Sequence, residues 1–549
     1  KTLHTMITNT FVILFLSLTT LQYGSSHASS LLLFSKLVRS IPRGGSSIVN
    51  DPDVVYPPIW APTGSSVRRG WILMDRFSEY HGVYLERMAL EVYGVAVIRV
   101  SSDYIRRYLM EAYEEDVPSL PQNPKEWKEW RDRIAVDRIE GIICESDAGL
   151  AEAEQLAVQL KVSKHNGILE ARRNKYWMND KVQTKAGLPV VRQKLCTTLH
   201  EAIEFARELH VTDVESSESN VEGNVKQQQQ QRPGLGLLGT GCNSPQYERP
   251  VCIVKPMRGV GSDSVYLCPT LSHVQHAFQA IHGTALFGST TERQMAVLVQ
   301  EFAEGTEYAI DIISKDGQHK VAALWRYDKR PTNGRAFVYY ATELISTTTT
   351  TTKQDDSSNA LLGEEVEEIC DYAIRALNAL DWKWGMTHTE IIVTNEGCRL
   401  VEVNCRQHNM DFMPITNACI GYNAMDMLLA SYLGDCPVVP GKEDMCLEWN
   451  LLPDRPVLRA HGAMVHFVNY AHGTLVGINE DALREIQNME SVWDLQVYNP
   501  FLEIGNVISP TVDIKSDAGW AQLINQDAEA FRRDYNRIVD LMPTLFYVQ

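Results

Sequence analysis

The chain has 549 residues, 44% hydrophobic and 22% charged, a composition ordinary for a soluble globular protein and a length that calls for several subdomains. Its formal net charge of −18, with no basic stripe, argues against a nucleic-acid binder. The 11 cysteines are odd in number and lack a Cys-x-x-Cys pair, which supports neither a zinc site nor a redox motif. Cys144, Cys252 and Cys268 lie in apparent strands and read as small buried hydrophobes.

In chain order, Phe11 to Leu18 is too short to span a bilayer and fits the apolar core of a signal peptide. Ser26-His27-Ala28 supplies a small-residue cleavage site, and Met6, after the recorded Lys1, is a candidate start. Ser29 to Asn50 has no acid, while Lys36, Arg39 and Arg43 alternate with serines, as in a transit peptide. The two segments resemble the two-part targeting sequence of secondary plastids, except that Ser29 stands where an aromatic is usual. The expectation is entry into the secretory pathway, alone or onward to such a plastid. Val54 to Arg69 reads as a linker.

Strands are predicted at Trp71–Asp75, Val95–Val100 and Ile139–Cys144, with helices at Glu79–Tyr93 and Ala148–Leu160. This alternation predicts a parallel α/β domain. Glu145-Ser146-Asp147 falls at the C-terminal end of a strand, where such sheets place ligands; capping of the next helix by Ser146 or Asp147 is the other reading. Lys181 to Leu209 forms a short α/β unit. Residues 215–250 (Gln-rich) and 347–358 (Thr-rich) are low-complexity insertions. Helices are expected at Ala360–Leu380, Asn423–Leu433 and Ala521–Leu541, and strands within Gly462–Tyr470 and Val492–Val497.

Three segments carry the chemistry. In Val251 to Val265 an apolar strand ends at Lys255, and a loop with Gly259, Gly261, Ser262 and Ser264 leads into another strand. Small residues let backbone N–H groups approach phosphate oxygens, and the lysine supplies a point charge; a plain hairpin turn would look the same. Val297 to Asp311 reads as strand, bend at Gly305, and strand, with Glu301, Phe302 and Glu307 around the bend. His388 to Arg406 reads as a hairpin whose turn is Asn395-Glu396-Gly397, with Glu390 just before the first strand. Glu402 and Asn404, two apart, share a face of the second strand. Three oxygen-bearing side chains suit Mg²⁺ (or Mn²⁺), although an exposed hairpin with ordinary acids is the alternative.

Together and in this order, Lys-Pro-x-x-Gly-x-Gly-Ser, Gln-Glu-Phe-x-x-Gly-x-Glu and Glu…Glu-x-Asn-x-Arg resemble the ATP-grasp superfamily of ATP-dependent ligases. Glu145-Ser-Asp147, Ala171 to Met178 and His388-Thr-Glu390 look most like the L-amino-acid ligase and carnosine-synthase-like branch. Composition places a signal peptide at 1–28 and a transit-like linker at 29–69; the resemblance covers roughly Gly70 to the C-terminus and implies a parallel α/β domain at 70–170. An ATP-grasp domain of two α+β subdomains at 171–434 and a C-terminal α+β lobe at 445–549 would follow.

The implied activity is ATP-dependent amide formation through an acyl phosphate, with amino-acid substrates. Lys175, Lys255 and the Gly259–Ser264 loop would meet the phosphates, Glu301 and Phe302 the adenine, and Glu307 the ribose. Glu390, Glu402 and Asn404 would hold the metal, and Arg406 would stabilise the acyl phosphate. Cys405 is read as packing and His388 as structural. Substrate contacts are sought between Arg326 and Glu343. A biotin-carboxylase-like enzyme and a non-catalytic nucleotide-binding module are the alternatives, the first disfavoured by the lack of Met-Lys-Met. The partners expected are ATP and small carboxylate and amine substrates, with no nucleic acid and no membrane span after signal removal; a homodimer is an open expectation.

Overall fold

The computed structural model describes residues 69–76, 81–109, 138–213, 251–259, 261, 264–347, 358–434 and 446–549. The expected signal peptide, the transit-like segment to residue 68, Ser262 and nearly all of both insertions lie outside the described residues.

The N-terminal part is a three-stranded parallel sheet. β1 (Arg69–Met74) lies between β2 (Ala96–Val100) and β3 (Arg138–Cys144). A parallel sheet is buried on both faces, so its strands are apolar throughout. Ile72, Met74, Ile98 and Val100 pack beneath α3 (Leu150–Gln159), in a cluster with Ala153 and Leu156. Trp71, Leu73 and Val97 pack on the other side, with Leu85 and Met88 of α1 (His81–Glu91) and Leu428 and Tyr432 of α9 (Ala424–Leu433). α2 (Asp103–Leu109) follows β2.

A small antiparallel sheet comes next in the chain, after α4 (Lys175–Ala186). Its order is β4 (Gln193–Cys196), β7 (Val297–Glu301), β5 (Cys252–Lys255), β6 (Tyr266–Cys268). α5 (Leu199–Glu208) and α6 (Leu271–Ile281) cover it, burying Phe205, Val274 and Phe278 against Val254 and Val299. α5 starts at a capping box, in which Thr198 and Glu201 each accept from the other's backbone N–H.

The rest is organised by one eight-stranded sheet whose neighbouring strands all pair antiparallel. Its order is β12 (Gly397–Asn404), β11 (Gly385–Thr394), β8 (Gly305–Lys315), β9 (Gln318–Thr332), β10 (Arg335–Leu344), β13 (His461–His466), β17 (Gly519–Asn525), β15 (Val492–Val497). The ladder between β10 and β13 carries the sheet from the β11–β12 hairpin into the C-terminal segment without a break. α7 (Ser358–Ala379) packs Ile369, Ala373 and Leu377 onto one face, with Met178 and Val182 of α4 beside them. α8 (Met413–Cys419), α10 (Glu480–Gln487), α11 (Ala528–Leu541) and a three-stranded sheet of β16 (Val507–Ile508), β14 (Gly473–Ile478) and β18 (Phe546–Val548) complete the fold.

Two sequence expectations are corrected. Residues 521–525 belong to β17, because Ala521 and Leu523 alternate into the core against β13. The last helix begins where the Asp527 side chain caps the N–H groups of Glu529 and Ala530. Glu390 lies inside β11, not ahead of it, since the ladder to β8 runs from Gly385 to Thr394. Among the described residues no helix is long and apolar enough to cross a membrane.

Candidate active site

A cleft opens between the small sheet and the β8–β12 face of the large one. Its lining includes Lys175, Lys255, Gly259, Gly261, Glu301, Phe302, Glu307, Glu390 and Glu402. Nine of the thirteen sequence-predicted site residues therefore meet in one place. Asn404 lines an adjoining pocket that shares Lys175, Gly259 and Glu402 with the cleft.

The register of the β11–β12 hairpin sets the chemistry. Glu390 is directly opposite Glu402, and His388 opposite Asn404. Like charges facing across a strand pair repel, so this arrangement is favourable only with a cation between or beside them. Lys175 supplies part of that charge by pairing with Glu402. Asn404 Nδ2 donates to Glu402 Oε1 at 3.3 Å, which leaves its carbonyl oxygen as an acceptor. Two carboxylates and an amide oxygen fit a hard divalent cation.

Two residues further toward the turn on each strand, the face becomes apolar, with Ile392 on β11 and Leu400 on β12. Ile253, Phe302 and Phe337 join them, the two phenylalanine rings stacking at 6.3 Å between centroids. The cleft thus has a charged end and an apolar end.

α4 delivers Lys175. Asn174 caps the helix by accepting from Tyr176 and Trp177 N–H, so Lys175 becomes its first residue. Its backbone N–H donates to the Met257 carbonyl at 3.1 Å and its ammonium to the Gly259 carbonyl at 3.0 Å. Lys255 differs. It is buried at the end of β5, and its ammonium makes no hydrogen bond or close ion pair among the described residues, although Glu402, Glu390 and Glu307 act on its charge. Burial, and then the neighbouring Lys175, lower its ammonium to about 8. A buried cation without a partner, beside another cation, is a seat for an anion.

In the glycine loop, Gly261 (φ +60°) approaches Ile514 and Lys515 of the C-terminal segment. Ser264 holds a left-handed φ of +56° and is not among the lining residues. The Glu301 carboxylate accepts from Arg192 Nε at 2.5 Å. Glu307 Oε1 accepts from Lys329 Nζ at 2.7 Å. Burial opposes the charge on Lys329, but Glu307 beside it outweighs burial and raises the ammonium above its ordinary value.

Lys329 and Tyr339, cross-strand partners on β9 and β10, line the cleft. Both lie in the stretch where substrate contacts were sought. Its end members, Arg326 and Glu343, instead form a buried pair at 2.6 Å.

Behind Glu390 lies a buried network. His388 bonds Glu390 Oε1 at 3.3 Å and Asp311 Oδ1 at 3.2 Å, and Trp325 Nε1 donates to Asp311 Oδ2 at 2.8 Å. Burial opposes protonation of His388, but the two carboxylates prevail and raise it to about 9. Burial, then the charge on His388, lower the adjacent His408 to about 4. Asp311, His388 and His408 cluster within 4.8 Å, yet the imidazoles stack at 3.8 Å and 30°. Both ring nitrogens of His388 are already engaged, one by Asp311 and one by Glu390. The trio reads as an ion pair that fixes Glu390. Residue spacing hinted only at the His388–Glu390 contact, since Asp311 arrives on another strand.

Arg406 lies just past β12 and is buried. Its Nε donates to Asp147 Oδ2 at 2.7 Å, so it pairs with an acid of the loop after β3 and not with Glu390 or Glu402. Ser146 takes the turn-stabilising role, accepting from Gly149 N–H at 2.8 Å. Burial pushes the Cys405 thiol well up, which keeps it protonated and agrees with a packing role.

The ATP-grasp domain family matches residues 248–411, so the chain carries an ATP-grasp domain. Dapdiamide A synthase of Enterobacter agglomerans is 24% identical over 289 residues, 53% of this chain and 55% of the relative. The chain thus matches about half the length of that relative. The fold is shared with an L-amino acid ligase from Bacillus licheniformis, at a TM-score of 0.56 and 15% identity over 88% of this chain and 99% of the other. It is also shared with carboxyaminoimidazole ribonucleotide synthase from Aspergillus clavatus, solved with ATP, at a TM-score of 0.52 and 10% identity over 87% and 99%.

Proposed function

We propose that the protein is an ATP-dependent carboxylate–amine ligase, with amino acids as the substrate class. The carrying observation is the polarity of one cleft: an apolar slot around Phe302 and Phe337 beside opposed carboxylates and an unpartnered buried lysine. Adenine suits the slot, and a triphosphate suits Lys175 and Lys255. Glu390, Glu402 and Asn404 would hold Mg²⁺ or Mn²⁺, which when bound neutralises phosphate oxygens.

In the first step a carboxylate oxygen attacks the γ-phosphorus and ADP leaves. In the second an amine attacks the acyl carbon, the C–N bond forms, the C–O bond to phosphate breaks, and the amine loses a proton. Such a reaction depends on positioning and charge neutralisation. Lys255 and Lys175 would hold the phosphates, and the Nη2 edge of Arg406 the acyl phosphate oxygens. The glycine loop, which meets the C-terminal segment at Gly261, would exclude the water that hydrolyses such an intermediate.

The test is phosphate release from Mg-ATP with single and paired amino acids. Release that requires two substrates supports the ligase; release with bicarbonate alone, or none with any pair, contradicts it. Targeting by residues 1–28 is part of the same proposal. A reporter fused behind residues 1–66 should enter the secretory system, and uniform cytosolic signal would contradict that.

A further inference from the structure

A guanidinium has five N–H donors, and the protein engages Arg406 at Nε and Nη1. Nε donates to Asp147 Oδ2 at 2.7 Å, while Nη1 donates to the Gln407 carbonyl at 2.8 Å and to Asn409 Oδ1 at 3.2 Å. Nη2 makes no hydrogen bond among the described residues, and its two donors are what remains for a ligand.

Arg406 has other carboxylates within reach of its field. Glu402 and Glu390 both act on its charge, and Glu402 is four residues earlier on the same segment. An arginine that settled on either acid would cover the cation face and spend the donors a ligand needs. Asp147 competes for it from a loop 259 residues away in sequence.

That loop is built to hold still. The Glu145 N–H donates to the Met74 carbonyl at 3.1 Å, and Ser146 Oγ donates to Asp75 Oδ2 at 2.5 Å. Gly149 admits no side chain, because a Cβ there would sit 2.1 Å from Asp75 Oδ2. A second tie, from Gln407 Nε2 to the Glu145 carbonyl at 3.4 Å, runs beside the Arg406 pair. On its other flank Gly288, in the part of the chain that also builds the small sheet, leaves a Cβ only 3.2 Å from Ala148 Cα. The loop is therefore wedged between the segment that carries Arg406 and the subdomain that carries the glycine loop.

We propose that Asp147 is a positioning residue: it holds Arg406 through Nε, off the Glu390–Glu402 pair, and so leaves Nη2 for the transferring phosphoryl group. Docking of the N-terminal sheet thereby completes the reaction centre. The proposal rests on the ligase reading above.

The test uses the intact chain as wild type, Asp147→Asn, Asp147→Glu, Arg406→Ala and the Asp147→Asn/Arg406→Ala double variant. Titration calorimetry measures affinity for Mg-ADP, and the affinity gained when aluminium fluoride is added as a stand-in for the phosphoryl group. Mg-ADP affinity should be unchanged throughout, which also reports a folded cleft. The fluoride gain should fall about 10–100-fold in Asp147→Asn and Arg406→Ala alike, the usual scale for losing an orienting partner. It should fall no further in the double variant and recover in part in Asp147→Glu. A gain retained in Asp147→Asn, or two losses that multiply in the double variant, would overturn the proposal. Should Asp147→Asn fail to bind Mg-ADP, the charge-retaining Asp147→Glu decides: a gain intermediate between wild type and Arg406→Ala supports it, and one equal to wild type overturns it. A wild type without any fluoride gain would sink the phosphoryl-transfer reading and this inference with it.

Discussion

The β11–β12 hairpin and the loop at residues 145–149 both feed the same centre, by opposite means. In the hairpin every functional group comes from 19 consecutive residues, and a two-residue turn fixes which carboxylates face each other. In the loop, the one group that matters reaches a partner 259 residues away, and its position depends on the packing of a separate sheet. The hairpin holds charge that must be neutralised; the loop holds a charge that neutralises something else. Local geometry thus sets the opposed carboxylates, and tertiary geometry sets the pair that holds the arginine.

The largest expected effect breaks the hairpin. Glu402→Gln removes one of the opposed carboxylates and the partner of Lys175. It should abolish Mg²⁺-dependent ATP turnover with little change in melting temperature, since Glu402 lies at a cleft rim. Near-normal turnover would remove the hairpin from the mechanism.

Next comes the arginine on which the two regions converge. Arg406→Ala should bind Mg-ATP nearly as wild type, while ligation falls roughly a hundredfold or more, the scale of a lost oxyanion donor. Arg406→Lys should recover little, because one ammonium cannot hold Asp147 and present a second pair of donors. A large loss of ATP affinity with normal product formation at saturating ATP would place Arg406 on the nucleotide.

This contrast explains what was legible in the sequence. Motif order pointed to Glu390, Glu402, Lys175, Lys255, Gly259 and Gly261, which share one cleft, because each lies within a short segment legible along the chain. The parallel N-terminal sheet followed from apolar runs alternating with helical patterns. Asp147's partner, the Asp311–His388 pair and Lys329 lacked such a signal. Each depends on which strands become neighbours, and one-dimensional spacing does not encode that. The strand at residues 521–525 was read as helix because its apolar positions suit either period, and only pairing with β13 decides between them.

A smaller effect separates the loop from the hairpin by stability. Gly149 has an ordinary helical φ of −86°, so Gly149→Ala suffers from crowding and not from the backbone, its Cβ falling 2.1 Å from Asp75 Oδ2 and 3.1 Å from Cys144 Sγ. It should cost about 1–3 kcal/mol, as overpacking does, and lower the urea midpoint. Ligation should fall while Mg-ADP affinity holds. Equal loss of both would mean the loop is not specific to Arg406.

The two lysines offer a gentler test. Lys255 is lowered to about 8 by burial and Lys175, and a bound phosphate would raise it again. Binding of Mg-free ADP should therefore take up a proton above about pH 8, and affinity should weaken as pH rises from there. Calorimetry in two buffers of different ionisation enthalpy reads the uptake, which should vanish in Lys255→Met. The smallest effect is expected from deleting residues 217–245, which should leave melting temperature and ATP binding nearly unchanged.

The central claim is that a carboxylate is activated by phosphoryl transfer before the amine attacks. Once a productive substrate pair is found, the acid is supplied with both carboxylate oxygens as oxygen-18, and the released phosphate is examined by mass spectrometry. The acyl-phosphate route predicts one labelled oxygen in each phosphate, in step with amide formation. Unlabelled phosphate accompanying labelled amide product would contradict it.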